Sequence, residues 1–208
     1  MNLGIIGSGN VGGTLGTRWA QAGHQVTFAT RKPDSKEMRE LVAGAGPTTR
    51  AASVQDAAKA EVILLATPWP ATEEIVRSAG DLSGKVLIDV TNPLLNLDGL
   101  ALGTTTSGGE QVAQWAAGAR VVKAFNTVGN NIMADPRFGD RLLALLYCGD
   151  DAAAKKTVHS LAAELGFDPI DAGPLSQARL LEPMALLWIS LALKQGLGRE
   201  FAFQLLRR

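Results

Sequence analysis

The 208-residue sequence predicts an α/β fold, a doubly wound and mostly parallel sheet followed by a small C-terminal lobe. Three observations carry this expectation. Short apolar runs alternate with helical patterns through the first half of the chain. Those runs are apolar on both sides, as strands covered by helices on both faces must be. The first run breaks into a glycine-rich turn that opens a helix. We place the first unit at residues 1–134 and the lobe at residues 135–208, with no obvious linker between them.

The elements follow in order. The first strand, residues 3–6, breaks at Gly7-Ser8-Gly9-Asn10-Val11-Gly12. The helix that follows carries Val11, Leu15 and Trp19 at four-residue spacing, beside a small-residue stripe of Gly12, Gly16 and Ala20. Residues 26–29 form the second strand, and Ser35 opens a helix over 35–43. An extended piece at 47–50 and a brief helix at 53–58 precede the buried strand 62–66, which Thr67-Pro68-Trp69-Pro70 stops. Then come a helix at 73–79 and a strand at 85–90 ending in Thr91-Asn92-Pro93. A glycine-rich connection over 94–109 leads to a helix at 110–117 and a strand at 120–125. The lobe offers a strand at 142–148, a helix at 152–165 capped by Asp150 or Asp151, and an extended piece at 167–172. Pro183 is expected to kink the terminal helix or to start a fresh segment.

Composition removes several function classes. Apolar residues are 46% and charged residues 19%, an ordinary globular balance. Twenty basic residues offset twenty acidic ones, so no general electrostatic case exists for nucleic acid or an anionic membrane as partner. Cys148 is the single cysteine, which excludes an internal disulfide and suits a reducing compartment. The start of the chain carries no basic, apolar leader, and the apolar stretch 183–193 is too short to span a bilayer. The expectation is a cytoplasmic protein.

The spacing G-x-G-x-x-G between a strand and a helix points to a dinucleotide pyrophosphate. Gly7 permits the tight turn, Gly9 lets backbone approach phosphate, and Gly12 lets the helix pack close to the sheet. Free N–H groups and the positive dipole end of the helix then face the phosphates. NAD-binding domains usually carry a carboxylate where the second strand ends. Here Thr30-Arg31-Lys32 stands instead, and no carboxylate occurs until Asp34. A hydroxyl followed by two cations suits a 2′-phosphate, with Lys36 adding a charge, so the cofactor expected of this Rossmann-type domain is NADP(H).

In such a sheet the ligand lies across the C-terminal strand ends. Ser8, Asn10, Val11, Ala66, Thr67, Pro68, Asn92 and Pro93 therefore join the cofactor side. Asn126, Thr127 and Val128 face the substrate, and Trp69 either walls the cleft or packs in the core. Neither His24 nor His159 has a plausible catalytic partner, Asp89 and Asp171 read as turn or capping groups, and no spacing suits a metal. No catalytic side chain is assigned. Hydride transfer between two stacked redox rings needs mainly proximity and orientation, so the missing acid/base points to a second ring as substrate. Reduction of a small carbonyl or imine, and a non-catalytic NADP(H) sensor, stay open as alternatives.

Over nearly its whole length the sequence resembles the deazaflavin (coenzyme F-420):NADP oxidoreductases and their bacterial relatives. The resemblance lies in the Gly7-to-Gly12 loop, Thr30-Arg31 and Pro68-Trp69. Its more specific part is Cys148-Gly149-Asp150-Asp151 with Lys155-Lys156, Asp171-Ala172-Gly173-Pro174-Leu175-Ser176, and Arg179-Leu180. It implies hydride exchange between a deazaflavin C5 and the nicotinamide C4, in a homodimer. Members acting on deazaflavin tend to carry a His where this chain reads Lys123-Ala124-Phe125-Asn126-Thr127. The Ala-Phe-Asn-Thr wording instead resembles the cytosolic domain of six-helix membrane metalloreductases, which pass electrons from NADPH to a flavin. The second ring is thus a deazaflavin or a flavin.

Overall fold

A computed structural model describes residues 1–95, 99–206 and 208. Its elements are β1 (Asn2–Ile6), α1 (Asn10–Gln21), β2 (Gln25–Ala29), α2 (Lys36–Ala45), β3 (Thr49–Ala52), α3 (Val54–Ala57), β4 (Val62–Leu65), α4 (Trp69–Ser78) and β5 (Val86–Asp89). They continue with α5 (Gly108–Trp115), β6 (Arg120–Lys123), α6 (Asn130–Ala134), β7 (Arg137–Phe138), β8 (Arg141–Gly149), α7 (Ala152–Glu164), β9 (Phe167–Asp171) and α8 (Ala178–Leu193). A 3-10 turn, Leu175–Gln177, leads into α8. Residues 96–98 of the expected glycine-rich connection lie outside the described residues.

Among the described residues the strands form one sheet in the order β3-β2-β1-β4-β5-β6-β8-β7, with β9 on β8. The pairs from β3 to β6 are all parallel. Buried Val, Ile and Leu fill β4 and most of β5, as helices on both faces require. Register aligns the strand ends: Ile6 pairs with Ala29 and Leu65, Leu65 with Asp89, and Asp89 with Lys123. The loops that follow these five residues therefore emerge side by side at one edge.

Residues beyond 135 continue the same sheet, because β8 runs antiparallel to β6 through Val122–Gly149 and Lys123–Cys148. Helix α7 starts on Asp151, whose carboxylate accepts from the N–H of Ala154 at 2.7 Å. Asp150 instead accepts from the N–H of Leu175 at 2.8 Å. No described helix is long and apolar enough to cross a membrane.

Three expectations are corrected. Helix α4 begins at Trp69 rather than residue 73, because a proline in the first turn loses only an N–H that has no partner there. Strand β6 stops at Lys123, two residues early, because Phe125 turns the chain at φ 62°. Helix α8 continues past Pro183, so no fresh segment starts there. That proline is exposed, so solvent can serve the Arg179 carbonyl whose partner it removes.

Candidate active site

Backbone and open space build the phosphate end. Gly7 leaves β1 at φ 101°, where a Cβ would also stand 2.4 Å from the carbonyl oxygen of Ala66. Gly12 lies against the sheet, and a Cβ on it would approach the Gly7 carbonyl oxygen to 1.9 Å. Gly9, the N-cap of α1, differs: a Cβ there would meet nothing within 4 Å. The first turn of α1 has no acidic residue and no side-chain cap. Its first N–H groups remain available to an anion, so these residues fit a pyrophosphate.

Two hollows flank the turn after β2. One, of about 700 Å³, lies between α1 and α2 and is lined by Ser8, Gly9, Asn10, Thr30, Arg31 and Lys32, with Ser35 and Glu37 opposite. The other, of about 830 Å³, runs along the ends of β1 to β4, past Gly7, Ser8, Thr30, Arg31, Thr67 and Pro68. Ser8, Thr30 and Arg31 belong to both. The Thr30 hydroxyl accepts from the Lys32 N–H at 3.0 Å, a local turn with both cations at the surface. Arg31 and Lys32 are exposed and form no ion pair among the described residues. Ser35 caps α2, accepting from the Met38 N–H at 3.2 Å. Lys36 lines neither hollow and stands 3.8 Å from Glu40. Glu37 and Glu74, which line one hollow each, went unnoticed in the sequence because an isolated carboxylate on a helix has no distinguishing spacing.

Side chains build the other end. Asn92 donates its amide N–H to the Asn126 carbonyl at 3.0 Å. Asn126 in turn donates to Asn92 Oδ1 at 3.1 Å and to the Leu181 carbonyl at 3.2 Å. Asn126 Oδ1 is buried without a partner among the described residues. Pro93 is buried nearby against α5, its Cδ within 3.2 Å of where a Cβ on Gly108 would stand. Phe125 adopts a left-handed conformation costly for a bulky residue, and its buried ring sits edge-on to Trp19 and Phe167, 5.9 Å from each. Val11 and Ala66 pack against the main core. Half-buried Trp69 packs 5.3 Å from Trp115. Thr127 and Val128 are apart from the phosphate end. They border an apolar cavity of about 100 Å³ with Met184 and the tail residues Ala202 and Phe203.

Beneath this end lies a charged cluster that sequence reading missed. Lys123 is fully buried, with Asp89 Oδ2 and Glu182 Oε1 each 2.8 Å from its Nζ. Burial by itself lowers the pKa of the Lys123 ammonium, but Asp89 and Glu182 overcome that effect and hold it above the usual lysine value. Asp89 was expected only as a turn group. It does hold the turn, accepting from the Thr91 N–H and hydroxyl, and it pairs with Lys123 besides. One signal was available: a lysine and an aspartate end adjacent strands buried on both faces, and charges there must pair. Cys148 is buried close by, and burial pushes its thiol up to about 12.

Each histidine has a hydrogen-bond partner. His24 is buried with Nε2 2.7 Å from Glu164 Oε2, and His159 Nδ1 is 3.3 Å from the Tyr147 hydroxyl. His24 precedes β2 at the opposite edge of the sheet from the cleft.

The profile described as NADP oxidoreductase coenzyme F420-dependent matches residues 2–93. The chain is 30% identical to the F420-dependent NADP reductase of Methanothermobacter marburgensis, over 93% of each. A crystal structure from Arthrobacter sp. FB24, assigned as an F420-dependent NADP-reductase, superposes with a TM-score of 0.88 at 32% identity, covering 99% of both chains. Metalloreductase STEAP3 of Rattus norvegicus is 34% identical over 88% of this chain, which spans only 36% of that protein's length. A full-length relative at 30% identity and a matching fold together settle membership: the chain belongs to the coenzyme F420-dependent NADP oxidoreductases, a family of NADP-dependent oxidoreductases.

Proposed function

We propose that the protein transfers hydride between NADP(H) and a deazaflavin or flavin ring held across the strand ends. The observation that carries this reading is the meeting of the two hollows at Ser8, Thr30 and Arg31, beside the uncapped start of α1. An unpaired guanidinium and a free helix terminus at one place suit a nucleotide with both a pyrophosphate and a 2′-phosphate. When bound, the nicotinamide supplies the hydride, and the second ring accepts it together with a proton from water. The protein's part is to hold the two rings face to face, with Asn92 and Asn126 at the nicotinamide end.

The F420-dependent relatives support a deazaflavin as the second ring, and the Ala124-Phe125-Asn126-Thr127 segment supports a flavin as the alternative. We also propose a homodimer, on the exposed Leu180, Leu187 and Leu193 along α8, and a cytoplasmic location. Rapid mixing of protein and NADPH with oxidised deazaflavin, or with FMN, tests the activity. One ring should bleach within the dead time or shortly after; if neither does and a carbonyl or imine panel is reduced instead, the reading is wrong.

A further inference from the structure

We propose that the buried Lys123–Asp89–Glu182 cluster is a positioning device for the ring end of the cleft. It sets where Asn92 and Asn126 stand, and so governs how the nicotinamide half of the cofactor is held. This rests on the assignment of those two asparagines to the nicotinamide end.

The cluster reaches both loops through short, saturated contacts. Lys123 Nζ donates to Asp89 Oδ2 at 2.8 Å and to the Thr91 carbonyl at 2.6 Å, and lies 2.8 Å from Glu182 Oε1. The other Asp89 oxygen accepts from the Thr91 N–H at 2.9 Å and from its hydroxyl at 2.7 Å. Thr91 is therefore gripped at its amide, hydroxyl and carbonyl, immediately before Asn92. On the opposite side, Glu182 accepts from the N–H groups of Gly108 and Gly109, the first residues of α5, at 2.9 and 3.0 Å. The preceding residue, Leu181, lends its carbonyl to Asn126. One anchor in α8 thus fixes the loop after β5 and the loop after β6 relative to each other.

Stability alone does not account for this arrangement. Two carboxylates and one ammonium leave a net negative charge in a dry site, offset in part by the start of α5. Well-packed apolar residues would usually serve a core as well or better. Apolar residues would not, however, dictate the hydrogen-bond pattern around Thr91 and Asn126. The Asn126 amide has spent both donor positions on Asn92 and Leu181, so its place is set by these contacts rather than by solvent.

The test compares two ligands on the intact protein. NADPH carries the nicotinamide, whereas adenosine 2′,5′-bisphosphate reports only the adenosine and 2′-phosphate end. Glu182→Gln should weaken NADPH about tenfold while leaving the bisphosphate affinity unchanged, and adding Asn126→Ala should cost nothing further. Equal losses for both ligands, no loss for NADPH, or additive effects of the two substitutions would overturn the proposal. Should Glu182→Gln not fold, Thr91→Val removes only the hydroxyl bond to Asp89. It should weaken NADPH about threefold with the same ligand selectivity, and an unselective or absent effect again overturns the role. Because binding is read without turnover, a wild type that bleaches neither ring but shows the selective loss discards the activity and keeps the positioning role. A wild type that turns over, with variants that lose both ligands alike, does the reverse.

Discussion

The two ends of the cleft are built in opposite ways. At the proposed phosphate end stand backbone N–H groups, an exposed arginine and an exposed lysine, set around open space at Gly9. At the proposed ring end stand two amides hydrogen-bonded to one another, on loops whose neighbouring residues are tied to three buried charges. A highly charged phosphate brings its own water and can be met by mobile cations at a wet surface. A flat aromatic ring is held by a dry site whose polar groups are already in place, and in a dry site nearly all polar groups are paired. The exposed cations and Gly9 of the first end should therefore tolerate substitution in stability but not in affinity, and the second end should fail in both.

The sharpest way to break that contrast is Lys123→Met, which leaves two buried carboxylates without their cation. It should destabilise the fold by about 3–5 kcal/mol in urea titrations, whereas Arg31→Ala should stay within about 0.5 kcal/mol of wild type. A Lys123→Met protein as stable as wild type would end the distinction. Within the phosphate loop, Gly12→Ala should cost about 1–3 kcal/mol, since its Cβ would overlap the Gly7 carbonyl. Gly9→Ala, pointing into open space, should keep the melting temperature and lose NADPH affinity. Arg31→Ala sharpens the cofactor assignment: NADPH should weaken about tenfold or more while NADH is unaffected, and equal loss would remove the 2′-phosphate contact.

The smallest effect concerns Cys148. Its thiol pKa is raised from an ordinary value of 9.0 to about 12 by burial. The neutral form is favoured in the fold, so its contribution to stability is complete below the ordinary value and fades as pH rises through about 12. Alkylation of the native protein should accordingly stay negligible at pH values where a free thiol reacts, and should appear only with unfolding. Ready alkylation in the native state would contradict the burial.

Legibility in the sequence followed the distance over which each feature is encoded. The glycine loop, its helix and the Thr30-Arg31-Lys32 turn are contiguous, so spacing alone exposed them. Strand cores were equally plain, because burial on both faces writes an uninterrupted apolar run. Ends of elements were less so. Nothing in Phe125 announces its left-handed turn, or the ring contacts it makes with Trp19 and Phe167 far along the chain.

By itself, then, the sequence determined the parallel α/β sheet, the phosphate loop and the basic turn beside it, because each depends on neighbours within a few residues. Only the tertiary structure decided the ring end. Lys123 stands 34 residues from Asp89 and Glu182 comes from a helix near the end of the chain, so only strand register and the docking of α8 bring the three charges together. Burial then obliges them to pair, which no local spacing can disclose.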